Sequence, residues 1–287
     1  MQISVLIGGE ISELCEFCIM EFAPYTDTTL HPLFDINKVP GVSAFCLGFI
    51  VSDAAGRPAW GGYYRVDRGY YGPVIHHAQA KGTKLIASFG GAAGKELALV
   101  SKNSTELFMK YKTVIDMYQF SSIDFDIEGD AVKDRKANKS RQEAILELQR
   151  VYPNLEVSLT VPAMPTGLDK DYLDLVSMTP CDLVNLMCMD YGAVKDMGKA
   201  AIDAANAARK QTGKKIGITV MIGKNDTGEV FTLDDAVMVN RFARQNHWVK
   251  RTSFWSINRD LGKDGSLEVS SQIKQPEYGF SQIFNKL

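Results

Sequence analysis

Eight stretches of the chain have the apolar, strand-like pattern expected of a buried sheet. They are Glu21–Thr26, Val42–Val51, Thr83–Gly91, Ser122–Gly129, Glu156–Met164, Leu183–Tyr191, Lys215–Gly223 and Arg251–Arg259. Runs such as Ala44-Phe45-Cys46-Leu47-Gly48-Phe49-Ile50 are nearly continuous rather than alternating, which suits parallel strands covered on both faces. Helical periodicity marks Tyr71–Lys81, Thr105–Tyr118, Ser140–Val151, Leu168–Val176, Met197–Thr212 and Leu233–Gln245 between them. Eight β/α alternations in one chain predict an α/β fold, a single-domain (β/α)8 TIM barrel. Residues 1–20 read as an N-terminal extension and 21–287 as the barrel. A doubly wound open sheet is the alternative, disfavoured because no Gly-x-Gly-x-x-Gly turn follows an early strand. Gly223 and Arg251 leave room for one barrel helix, so no α+β insertion domain is expected there.

Composition narrows the partners. A formal net charge of −2 gives no reason to expect nucleic acid or an anionic membrane. No run reaches the ~18 apolar residues of a membrane span. The N-terminal Met1–Gly9 is apolar but short, lacks a basic start and is followed by Glu10, Glu13 and Glu16, which makes it a poor secretory signal. The cysteines, Cys15, Cys18, Cys46, Cys181 and Cys188, are odd in number and irregularly spaced, so they are not a disulfide framework. Cys15 and Cys18 read as one side of a short helix, Cys46 and Cys188 as inert core thiols.

Candidate chemistry concentrates in Ser121-Ser122-Ile123-Asp124-Phe125-Asp126-Ile127-Glu128. Three carboxylates alternate with three apolar residues, so all three project from one face of a strand. In a chain built from buried strands that face is not a wet surface but the barrel interior. Alternate acids stand ~6.6 Å apart along a strand, and Glu128 is nearest the C-terminal mouth. Such a cluster holds shared protons and raised pKa values, with its outermost member poised as a general acid. The four histidines, His31, His76, His77 and His247, lie away from the strand ends, so neither a metal nor an organic cofactor is expected.

The Asp-x-Asp-x-Glu pattern on the fourth strand resembles the signature of glycoside hydrolase family 18, the chitinases and their relatives. Further motifs are similar to a bacterial-type subgroup: Phe22-Ala23-Pro24-Tyr25, Trp60-Gly61-Gly62-Tyr63-Tyr64, Ser88-Phe89-Gly90-Gly91, Pro165-Thr166-Gly167, Met187-Cys188-Met189-Asp190-Tyr191 and Phe254-Trp255-Ser256. One departure is Ser121-Ser122 where the signature often has Asp-Gly, with a structural rather than catalytic consequence expected. The resemblance implies a retaining endo-chitinase cutting β-1,4 bonds between N-acetylglucosamine units, with the substrate's acetamide as nucleophile. It assigns Glu128 as proton donor, Asp126 as partner of the acetamide N–H, Asp124 as partner of Asp126, and Tyr191 with Asp190 as positioners of the acetamide. Trp255 would floor the reacting sugar, with Met189, Trp60 and Gly90 completing the substrate-binding set.

Structural readings stand beside these roles. Trp255 also reads as barrel filling, Tyr191 as a core phenol, Met187 and Met189 as packing, and Trp60 as a loop anchor. Ser88 reads as a hydrogen-bond partner inside the barrel. An endo-β-N-acetylglucosaminidase acting on N-glycan cores, or a chitin-binding lectin on the same fold, are the functional alternatives; such lectins typically lose the acid glutamate. The expected partners are chitin or chito-oligosaccharides, with no nucleic acid and no membrane, and the chain is expected to be a monomer. An extracellular location follows from the substrate, although no clear signal peptide is seen.

Overall fold

The computed structural model describes residues 20–262 and 264–286. The expected N-terminal extension and the Cys15–Cys18 pair lie outside them, save Met20. The strands in chain order are β1 (Glu21–Phe22), β2 (Tyr25–Asp27), β3 (Ala44–Ser52), β4 (Pro58–Trp60), β5 (Tyr64–Arg65), β6 (Lys84–Gly90), β7 (Ser122–Asp126), β8 (Glu156–Pro162), β9 (Leu183–Cys188), β10 (Ile216–Met221), β11 (Gly223–Lys224), β12 (Val230–Phe231) and β13 (Val249–Trp255). The helices are α1 (Gly72–Ala80), α2 (Leu97–Val100), α3 (Ser104–Tyr118), α4 (Arg135–Val151), α5 (Lys170–Met178), α6 (Met197–Thr212), α7 (Leu233–Gln245) and α8 (Gly279–Phe284).

Six long parallel neighbours run in the order β13-β10-β9-β8-β7-β6, with β3 next. The first strand closes the ring in two pieces. β1 pairs parallel with β13, while β2 pairs parallel with β3 on the other side. The break between them falls at Pro24, which has no N–H to give; the Ala23 N–H bonds to Thr252 O and the Pro24 carbonyl accepts from Cys46 N, each at 3.0 Å. The fold is therefore an eight-stranded TIM barrel with the helices outside. β4 and β5 extend β3 as an antiparallel hairpin.

Each difference from the periodicity has a local cause. The last strand stops at Trp255 rather than Arg259, because Ile257–Arg259 form a 3-10 turn. Asn258 holds that turn against strand one, accepting from Asp27 N at 2.8 Å and donating to Asp27 O at 3.2 Å. Helix α4 starts earlier than its apolar pattern, at Arg135, because the Asp134 side chain caps it by accepting from Ala137 N at 2.8 Å. The short β11–β12 hairpin, α2 and α8 have too little periodicity to be read. Between β10 and β13 the chain forms only that hairpin and α7, with no inserted domain. Cys46 and Cys188 are buried, and burial pushes the Cys188 thiol up to about 12, as befits unreactive core groups.

Candidate active site

Strand alternation carries Asp124, Asp126 and Glu128 to one side of β7. Asp124 and Asp126 are buried, and Glu128 stands half-buried two residues past the strand end. The ladder reaches one residue beyond β7, since Ile127 N bonds to Thr160 O at 3.0 Å. Glu128 is still extended (φ −139°, ψ 173°), and Gly129, at φ +59°, then turns the chain away.

Asp124 is held by hydroxyls. Ser158 and Thr160 donate to its Oδ1 at 2.6 and 2.8 Å; Ser88 and Tyr25 donate to its Oδ2 at 2.7 and 3.0 Å. Register dictates this, for Asp124 lies opposite Ser88 on β6 and Ser158 on β8. The pairing of Asp124 with Asp126 expected from the family resemblance is thus replaced, because flanking-strand hydroxyls satisfy both Asp124 oxygens. Beneath, the buried Arg251 guanidinium donates to Ser158 Oγ at 3.1 Å and to Glu21 Oε2 at 2.8 Å. A cation therefore underlies the acid stack.

Asp126 differs sharply: its Oδ1 is buried and meets no donor. Burial, then the charges of Glu128 and Asp124, push its carboxyl well above the ordinary range. Burial likewise raises Glu128, and the Asp190 charge adds to that rise. Asp190 is itself raised by burial and by Asp226. The cluster keeps protons at a pH where isolated carboxylates have lost theirs.

A cavity of about 470 Å³ opens at the C-terminal ends of the strands. Asp126, Glu128, Met189, Asp190 and Trp255 all line it. Trp255 stacks on Phe49, with ring centroids 5.5 Å apart and planes 18° apart. Met187 lines the cavity too, so both methionines face it rather than Met189 alone.

Three further expectations are corrected. Tyr191 does not line the cavity. Asp190 takes a left-handed conformation (φ 58°) that breaks the strand alternation, so Asp190 enters the cavity while Tyr191 is buried. The Tyr191 hydroxyl donates to Ala163 O at 2.8 Å. Trp60 is fully buried and packs beside Tyr71 and Tyr118, so it anchors the hairpin and meets no sugar. Gly90 does not line the cavity either. At φ +104° its missing Cβ would lie 2.0 Å from Asp126 O, so its role is to let β6 approach the carboxylate strand.

Several lining residues received no site role from the sequence. Tyr25 and Thr160 belong to the hydroxyl network, while Phe49 and Met221 are core-like in pattern. Asp226 arrives on the β11–β12 turn, where its N–H bonds to Asp190 Oδ1 at 2.9 Å. Buried Arg259 anchors that turn by donating to Lys224 O at 2.6 Å.

Comparison with known proteins fits this geometry. A family model described as glycosyl hydrolases family 18 matches residues 10–260. A probable bifunctional chitinase/lysozyme of Escherichia coli (strain K12) is 31% identical over 92% of this chain and 34% of its own length. Endochitinase 11 of Metarhizium anisopliae is 29% identical over 84% of this chain and 52% of its own. The chain thus spans about a third to a half of these curated relatives. Among solved structures, active domain 2 of the Pyrococcus furiosus chitinase superposes with a TM-score of 0.83 at 29% identity, covering 92% of this chain and 93% of that one. A structure of that domain with chito-oligosaccharides gives a TM-score of 0.82 with the same coverage.

Proposed function

Because the chain belongs to glycosyl hydrolases family 18, we propose that it is a retaining endo-chitinase that uses the substrate's own acetamide as nucleophile. One observation carries the reading. Glu128, its carboxyl raised by burial and by the Asp190 charge, lines the cavity together with Asp126, whose buried Oδ1 has no protein donor. An unsatisfied buried acceptor next to a carboxyl of raised proton affinity is what an N–H of the substrate and a leaving oxygen require.

In this scheme Glu128 gives its proton to the glycosidic oxygen as the C1–O bond breaks. The acetamide oxygen forms a bond to C1 on the opposite face, giving an oxazolinium ion. Asp126 accepts the acetamide N–H and offsets the positive charge that develops there. Water then attacks C1 from the face the leaving group occupied, the bond from C1 to the acetamide oxygen breaks, and the water gives a proton back to Glu128, so configuration is retained. Asp124 holds the stack in place through its four hydroxyl donors. Trp255 offers its ring to the sugar face, and Asp190 tunes Glu128.

Glu128→Gln keeps the shape and removes the transferable proton. The expected loss in kcat on a chromogenic chitobioside is at least ~10²–10⁴-fold, with oligosaccharide binding retained. Cello-oligosaccharides, lacking the acetamide, should be inert. Near-native turnover by Glu128→Gln, or efficient cleavage of cellotetraose, would remove this mechanism. A lectin would show binding with no turnover in the native chain.

A further inference from the structure

Outside the catalytic cavity, Tyr63 is 81% exposed, well above every other exposed large hydrophobic side chain among the described residues. Its position is not loose. Tyr63 N bonds to Trp60 O at 3.1 Å, tying it to a tryptophan buried in the core. Its ring meets Tyr64 edge-on at 6.4 Å, and Tyr64 stacks on Tyr70 at 3.8 Å with planes 7° apart. His31 braces both, and its Nε2 hydrogen-bonds the Tyr64 hydroxyl at 2.6 Å. A bare aromatic whose neighbour Tyr64 is fixed by two further packed rings is pre-organised for contact.

Tyr63 borders a groove of about 550 Å³ whose other walls include Ser52, Ala55, Gly61 and Gly94. Its acid, Asp53, is engaged by Arg57 Nε and Nη2, both at 2.8 Å, and the exposed Lys95 is the other charged residue on its walls. The groove lies near the catalytic rim. Ile50 lies opposite Phe89 and Gly90 opposite Asp126, so Ser52 stands just above the level of Asp126. The loop after β6 puts Ala92 in the catalytic cavity and Gly94 in the groove. Gly61 N bonds to the carbonyl of Phe49, the residue that stacks on Trp255.

We propose that this groove is an accessory saccharide site in which Tyr63 stacks against the C–H face of a neutral β-linked amino-sugar polymer, holding it beside the cleft. The occupant rests on the hydrolase reading above. The test compares adsorption to insoluble chitin, measured on ice by depletion from solution, with turnover of a chromogenic chitobioside too short to reach both sites. Tyr63→Ala should lower the chitin partition coefficient about 3- to 10-fold, the share of one aromatic contact, with kcat/KM on the chitobioside within about twofold. Tyr63→Phe should adsorb like the native chain. Native adsorption by Tyr63→Ala, in a protein that turns over the chitobioside, overturns the groove alone. Equal loss in Tyr63→Phe assigns the effect to the hydroxyl and overturns stacking. A native chain inert on the chitobioside and unable to adsorb overturns both readings.

Discussion

Glu128 can serve as an acid only while it holds its proton, and two causes keep it there: burial and the neighbouring Asp190 charge. Raising the pH through the elevated pKa removes that proton, so activity should fall on the basic limb. Asp190→Asn deletes one of the two causes and should let the proton go at lower pH. The basic limb of the kcat/KM profile is then expected to move acidward, measured with the chitobioside across the titration. An unmoved limb would mean that Asp190 does not set the acid. At this scale the sequence was informative where side-chain period alone decides direction: three acids on one face needed only strand geometry. It failed at Tyr191, because a single left-handed residue, Asp190, reverses the alternation.

Among the elements, the outer helices are joined by a buried charge. Arg141 on α4 donates to Glu96 Oε2 at 2.8 Å and to Asn138 at 2.7 Å, and Tyr111 on α3 donates to Glu96 Oε1 at 3.0 Å. Arg141 and Glu96 are almost wholly excluded from solvent. Arg141→Met would strand the Glu96 charge and should cost ~3–5 kcal/mol in urea denaturation, while Arg141→Met with Glu96→Gln should recover part of it. A loss under ~1 kcal/mol would show that water relieves the site. The helices themselves were legible from their apolar faces, α6 and α7 to the residue. The partnership of Arg141 with Glu96 was not, since residues 45 apart become neighbours only when α4 packs against α2.

For the whole molecule, the segment between β10 and β13 decides the shape of the cleft. Only a two-stranded hairpin and α7 stand there, so this segment contributes no domain as a wall over the cavity. A groove open on that side holds a sliding chain weakly. Cleavage should therefore be endo-type and poorly processive, with better turnover of soluble oligomers than of crystalline chitin. Early products from a soluble, partly acetylated polymer should include odd-numbered oligomers, and a strongly dimer-dominated, even-numbered pattern would refute the reading.

Sequence alone determined the repeating β/α order, the parallel buried strands and the orientation of the acid triplet, because hydrophobic period and chain direction are local properties. Tertiary structure decided what surrounds the acids. The hydroxyls of Tyr25, Ser88, Ser158 and Thr160 converge on Asp124 from three other strands, and Arg251 comes beneath them from a fourth. It also buried Trp60, left Tyr63 bare three residues later, and brought Asp226 to the cavity on a turn without periodicity. Those outcomes depend on register around a closed barrel, where residues far apart in the chain share one level, and no local pattern encodes that closure.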